Sequence, residues 1–215
     1  MAAYSTILFD LDGTLTDPKV GITKSVQYAL SKLGIDAPDL DALTPFIGPP
    51  LHLAFQQQYH FNFAQAQLAV KYYREYFAVR GIYENVLYQG IPQLLTSLKE
   101  NSRNLIVATS KPTAFAQQIL CHFGIDQFFD RVIGSNLDGT RSTKTEIIGC
   151  ALRQYPQLPS TDFVMVGDRE LDIIGATSNG IDSIGVGYGY GSREELLQAN
   201  ATYIADTVEH LRKLL

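Results

Sequence analysis

Ile7-Leu8-Phe9-Asp10-Leu11-Asp12-Gly13-Thr14-Leu15 is the stretch on which the rest of the chain turns. Ile7, Leu8 and Phe9 form a short apolar, β-prone run, as expected of a strand buried on both faces. The run stops at Asp10 and Asp12. Alternation along an extended chain puts these two carboxylates on one side, and Gly13 lets the backbone turn sharply after them. Two carboxylates at the end of a buried strand repel each other and are costly to leave unpaired. A divalent cation relieves that cost, and Mg2+ takes hard oxygen ligands of this kind. The competing explanation is an acidic turn facing water, because Asp-Gly is common in turns. The whole string is far more specific than that dipeptide.

The chain has 215 residues, 46% of them hydrophobic and 18% charged, with a net charge of −5. These values fit an ordinary globular protein of one large domain or a domain with an insert. That size buries roughly 70% of the unfolded surface without staples. The negative charge argues against a nucleic-acid polymer as partner, since such binding needs a basic face. Met1-Ala2-Ala3-Tyr4-Ser5-Thr6 lacks basic residues and leads straight into the first strand, so no secretion leader is expected there. No apolar run approaches the ~20 residues needed to span a bilayer. Cys121 and Cys150 each sit in a helical pattern and are expected as buried free thiols in a reducing cytoplasm.

Asp17-Pro18 marks a break. From about Lys19 to Tyr88 the pattern is helical, with no convincing strand. Val26, Leu30 and Leu33 recur at helix spacing and Gly34 offers a stop. A second helix is expected over Leu51 to Tyr59, and a third over Ala64 to Val79 with Leu68, Tyr72, Tyr76 and Val79 on its core stripe. The many rings of this block, Phe55, Tyr59 and Phe61 among them, read as filling for a shallow core. An all-helical block inserted after a strand implies a separate helical cap. From Gly90 onward strands and helices alternate, which means βαβ units and a parallel sheet.

Each strand of the alternating part ends in something polar, and strand ends are where open α/β sheets bind ligands. Leu105 to Thr109 runs into Ser110-Lys111-Pro112, where a hydroxyl and free amides at a helix start suit an anion; a plain N-cap would look the same. Lys144 opens a helix, an unfavourable place for a cation unless an anion sits nearby. Beside these, Lys111 reads as flanking and Arg141 as a less apt anion contact than Lys144. Phe163 to Gly167 runs into Asp168-Arg169-Glu170-Leu171-Asp172; an acidic helix start favoured by the helix dipole is the bland alternative. Gly185-Val186-Gly187-Tyr188-Gly189-Tyr190-Gly191 lacks dinucleotide spacing and reads as a flexible turn.

Asp10-Leu11-Asp12-Gly13-Thr14 resembles the first motif of the haloacid dehalogenase-like phosphohydrolases. Ser110 after a hydrophobic strand, Lys144 at a helix start, and Gly167-Asp168 followed by Asp172 match the family's later motifs in order. The helical insert between the first and second motifs resembles the C1-capped branch. The resemblance implies an α/β fold: a Rossmann-like parallel-sheet core of residues 1–17 and 89–215, with an α-helical cap of residues 18–88. It implies Mg2+ as cofactor, bound by Asp10, by Asp12 through its backbone carbonyl and by Asp168, with Asp172 binding it through water or orienting a ligand. Asp10 is then the nucleophile that becomes phosphorylated and Asp12 the acid and base, while Ser110, Lys144 and Thr14 bind phosphate. The dehalogenases proper carry no carboxylate at the place of Asp12 and need no Mg2+, so Asp12 with Asp168 points to phosphate chemistry.

The Tyr83–Gly90 and Thr109–Pro112 segments are similar to a phosphoglycolate phosphatase-like or 5'-nucleotidase-like subgroup. The expected substrate is therefore a small phosphomonoester, phosphoglycolate or a nucleoside 5'-monophosphate. Phe46-Ile47-Gly48-Pro49-Pro50 looks like the family's cap substrate loop, with Gly48 letting backbone approach the ligand. Lys24, His52 and Arg80 are candidate contacts for a substrate carboxylate, though surface charge explains them as well. A phosphomutase and a receiver-like phosphoprotein share these core residues. A homodimer stays open.

Overall fold

The computed structural model describes residues 4–215; of the N-terminal segment expected to carry no leader, residues 1–3 lie outside them. The strands are β1 (Thr6–Phe9), β2 (Thr16–Asp17), β3 (Val86–Leu87), β4 (Asn104–Pro112), β5 (Arg131–Ser135), β6 (Phe163–Gly167), β7 (Asp182–Val186) and β8 (Tyr203–Ala205). The α-helices are α1 (Lys19–Lys32), α2 (Leu51–Tyr59), α3 (Phe63–Phe77), α4 (Ile91–Glu100), α5 (Thr113–His122), α6 (Lys144–Leu152), α7 (Glu170–Ser178), α8 (Arg193–Gln198) and α9 (Val208–Leu214). The residues divide into two units, one running to Asp17 and resuming at Leu87–Leu215, the other Pro18–Val86.

The first unit holds a six-stranded sheet in the order β5-β4-β1-β6-β7-β8, parallel throughout. It is the α/β, Rossmann-type sheet that the alternating pattern implies. The chain winds outward from β1 through β4 to β5, then returns to β6 on the other side of β1 and winds outward again. The order therefore reverses between β1 and β6, and the carboxyl ends of strands at such a switch point are where open α/β sheets bind ligands. Every residue of β1 and β6 is buried, as a sheet covered on both faces requires. One core cluster gathers Leu8, Ile106 and Met165 from the sheet with Ile147, Ile148 and Ala176 from α6 and α7. Truncating Leu8 to Ala in such a core costs ~2–5 kcal/mol, so the strand that ends in Asp10 is firmly seated.

The helical unit differs from its expected packing. The buried side of α3 is Ala66, Ala69, Val70, Tyr73 and Phe77, not Leu68, Tyr72, Tyr76 and Val79. Leu68 is 39% exposed and Val79, past the helix end, is 71% exposed. Asn62 and Gln65 form a reciprocal capping box that fixes the start of α3. Two alanines on the inner face permit a close approach, a signal that a search for large apolar residues passes over. Rings do fill this interior: Phe46 and Phe55 meet edge-on at 4.8 Å, and Tyr73 stacks on Phe77 at 5.3 Å.

Three short elements carry too little periodicity to be anticipated. The two-residue β3 pairs with β2, α8 has six residues with only Leu196 buried, and β8 has three residues at the sheet edge. Both cysteines are free, but Cys121 is exposed rather than buried; Cys150 is half-buried and packs against the core cluster. Among the described residues no helix is long and apolar enough to cross a membrane.

Candidate active site

Asp10 follows β1 directly and its N–H donates to the Val166 carbonyl at 2.9 Å, which locks the strand end to β6. Asp168 follows β6 directly. The two loops can touch because Gly13 has φ +83° and no side chain; a Cβ there would lie 2.2 Å from Asp168 Oδ2. Asp10, Asp168 and Asp172 are all buried, and each offers an oxygen within 4.8 Å of the others. Asp172 sits in the first turn of α7, in space left by Gly167, where a Cβ would come within 2.2 Å of the Asp172 carboxyl carbon.

Lys144 is the first residue of α6. A capping box fixes its position: Glu146 N–H donates to Thr143 Oγ1 at 3.3 Å, and Thr143 N–H to Glu146 Oε2 at 3.2 Å. Its ammonium lies 2.7 Å from Asp10 Oδ1 and 2.6 Å from Asp172 Oδ1, and donates to the Ala108 carbonyl at 3.0 Å. Burial works against that charge, but Asp10 and Asp172 outweigh it and hold the Lys144 pKa above its ordinary value. The other Asp172 oxygen accepts the Arg169 N–H at 3.1 Å. Both Asp172 oxygens thus have partners, which suits a group that orients Lys144.

Asp12 is buried with Lys111, whose ammonium lies 2.8 Å from Asp12 Oδ2. Lys111 is therefore no flanking residue. Burial raises the Asp12 pKa, and Lys111 opposes that rise. Asp168 is pushed up to about 8, first by burial and then by Asp172 and Asp10. Asp172 is raised by burial, against the pull of Lys144. Four carboxylates (Asp10, Asp12, Asp168, Asp172) face two ammoniums (Lys111, Lys144), leaving two negative charges uncompensated when all ionise. A divalent cation fits that deficit, and an all-oxygen donor set suits a hard ion.

The remaining candidates divide clearly. Ser110, in β4, has a buried hydroxyl oxygen without a hydrogen-bond partner among the described residues. The Thr14 hydroxyl donates to Asp168 Oδ1 at 3.4 Å, so it supports a carboxylate. Arg141 is turned to its own loop: Nε donates to the Gly134 carbonyl at 2.9 Å and Nη2 to Asn136 Oδ1 at 3.2 Å. Gly48, Lys24 and His52 belong to the helical unit. Gly48 has φ +103°, which favours glycine; His52 is half-buried on α2; and Lys24 pairs with Glu84 at 2.7 Å. Arg80 is exposed.

The Gly185–Gly191 run is not a free turn. Tyr190 N–H donates to Asp168 Oδ2 at 2.8 Å, and a Cβ on Gly189 would lie 2.3 Å from Asp168 Cβ. Alternating glycines were the available signal, because they mark backbone that another segment approaches closely.

An open parallel sheet with carboxylates and buried lysines gathered beyond its switch point defines an α/β enzyme. The family model described as haloacid dehalogenase-like hydrolase matches residues 7–186. A 5'-nucleotidase of Pseudomonas aeruginosa is 50% identical over 99% of this chain and 96% of its own length. The tyrosine-protein kinase PtkA of Mycobacterium tuberculosis is 39% identical over 97% of this chain and 72% of its own. A phosphoglycolate phosphatase of Colwellia psychrerythraea is 28% identical over 95% and 94%. Among solved structures, one described as a predicted phosphatase from Clostridium acetobutylicum has a TM-score of 0.95 at 50% identity, covering 98% of this chain and 97% of that one. The chain belongs to the haloacid dehalogenase-like hydrolases.

Proposed function

We propose that this hydrolase is a Mg2+-dependent phosphatase that cleaves a small phosphomonoester by transient phosphorylation of Asp10. The observation that carries this reading is the convergence of Asp10, Asp168 and Asp172 within 4.8 Å, with Lys144 buried between Asp10 and Asp172. Mg2+ held by Asp10, the Asp12 backbone carbonyl and Asp168 would supply Lewis-acid charge and orient the phosphate. Asp10 attacks phosphorus, and the bond to the leaving oxygen breaks. Asp12 gives its proton to that oxygen and then takes one from the water that attacks the aspartyl-phosphate. Ser110 donates its hydroxyl to a phosphoryl oxygen, for which its lack of a partner among the described residues leaves it ready. Lys144 offsets charge that builds up on the phosphoryl group.

The substrate class follows the relatives' names, a nucleoside 5'-monophosphate or phosphoglycolate. We assign leaving-group choice to the helical unit, with Gly48, Lys24 and His52 as the first residues to vary. The net charge of −5 and the two free cysteines support a cytoplasmic enzyme acting on metabolites. The kinase name of the mycobacterial relative favours, as a second reading, transfer of the phosphoryl group to an acceptor other than water. A panel of nucleotides, phosphoglycolate and an aryl phosphate, read by free phosphate release, separates the two. Asp10→Asn and exhaustive EDTA treatment should each abolish release; persistence of full turnover after either overturns the proposal.

A further inference from the structure

We propose that Gly187–Gly191, leaving β7, is a strap that positions the Asp168 carboxylate for metal binding, with Gly189 and Tyr190 as its positioning residues. This rests on the reading of Asp168 as a metal ligand.

The starting point is register. β6 and β7 run side by side, with Gly167 opposite Gly185. Beyond them one chain continues into Asp168 and the other into the strap. Glycines at alternate positions let the strap lie directly on the acidic loop. A Cβ on Gly189 would lie 2.3 Å from Asp168 Cβ and 2.4 Å from the Gly13 carbonyl oxygen. At Gly191 the corresponding atom would overlap the Asp168 carbonyl oxygen. Tyr190, between them, points its N–H at Asp168 Oδ2.

The two tyrosines extend the hold to the other acidic loop. Tyr188 donates its hydroxyl to the Thr14 carbonyl at 3.1 Å, and Tyr190 donates to the Asp17 carboxylate. Tyr88 packs edge-on against Tyr188 at 5.1 Å and backs the strap. Just after Asp168 in the chain, Arg169 Nε and the Glu170 N–H both donate to Glu195, at the start of α8, at 2.8 Å. The Asp168 carboxylate itself is held at both oxygens, Oδ2 by the Tyr190 N–H and Oδ1 by the Thr14 hydroxyl.

The physical need for such a hold is clear. Like-charged carboxylates brought together repel, and each would turn away if free. A fixed N–H donor favours the ionised form in one orientation and removes the cost of reorganising it when a cation arrives. Outer contacts of this kind typically change metal affinity by ~10–100-fold.

The test is Mg2+ titration of the EDTA-treated protein, followed by the melting temperature, for the wild type, Gly189→Ala, Tyr188→Phe/Tyr190→Phe and Asp168→Asn. The half-saturating Mg2+ concentration should rise ~10-fold or more in Gly189→Ala and measurably in the double tyrosine variant. A purely structural strap would lower the metal-free melting temperature and leave the half-saturation point in place, which overturns the proposal. If Gly189→Ala does not fold, the double tyrosine variant decides on the same criterion. Asp168→Asn checks the underlying reading separately: wild-type Mg2+ stabilisation in that variant removes Asp168 from the metal site altogether.

Discussion

Lys144→Met removes the cation that two buried carboxylates share, while keeping a flexible apolar stem of similar length. In the folded protein Lys144 and Asp10 are each 4% exposed and Asp172 is 1% exposed, so water cannot replace the missing charge. Removing one partner from a buried ion pair typically costs ~3–5 kcal/mol, because the other charge is left uncompensated. For a chain of this length each kcal/mol is worth ~2–4 °C of melting temperature, so the metal-free variant should melt ~6–20 °C below the wild type near pH 8. Near pH 5 the gap should shrink, since Asp172 already sits above its ordinary pKa and takes a proton more readily without Lys144. Mg2+ should recover part of the loss by supplying positive charge to the same carboxylates. Thermal melts of EDTA-treated and Mg2+-loaded protein at both pH values check this. A gap under ~2 °C near pH 8, or an equal gap at both pH values, would refute the claim that Lys144 neutralises this cluster.

Further outcomes follow from the same geometry. The proton on Asp168 is held up to about pH 8 in the folded protein and lost near 3.8 in the unfolded chain. The folded state therefore binds more protons across that window, and metal-free stability should fall as pH rises from about 4 to about 8; melts across that range should then show Mg2+ stabilisation growing with pH. Ser110→Ala should leave stability within ~0.5 kcal/mol, because the hydroxyl has no partner among the described residues. It should lower kcat ~100-fold or more, which steady-state phosphate release reads directly. Gly13→Ala meets both a φ of +83° and Asp168 Oδ2 at 2.2 Å. It should cost ~1–3 kcal/mol from backbone strain alone and lose the Mg2+-dependent rise in melting temperature.

Asp10, Asp12 and Asp168 could be picked out as candidates because their signal is local, whereas Ser110 and Lys144, which a plain N-cap and a surface lysine explain as well, rested on the family resemblance. A short apolar strand followed at once by a polar residue needs no knowledge of what lies across the fold. The parallel sheet was legible for the same reason, through strands and helices alternating after Gly90. Lys111 was underrated because its partner, Asp12, lies far away in sequence, and nothing in Ser110-Lys111-Pro112 points to it. Tyr190 was missed because its contact with Asp168 runs through a backbone N–H, which any residue but proline supplies. The inner face of α3 was misassigned because Ala66 and Ala69 bury little area each, although their smallness is what allows the close packing. The six-residue α8 gave no amphipathic period, yet its Glu195 anchors the loop after Asp168.

The central claim is that Asp10 itself accepts the phosphoryl group. Asp12→Asn, supplied with Mg2+ and an aryl phosphate whose leaving group needs no proton, should form the phosphoenzyme but lack the base that activates water. Acid quenching followed by peptide mass analysis should then find one phosphoryl group on the peptide that carries Asp10. Phosphate release with no labelled protein, or a label on any other residue, would contradict the account.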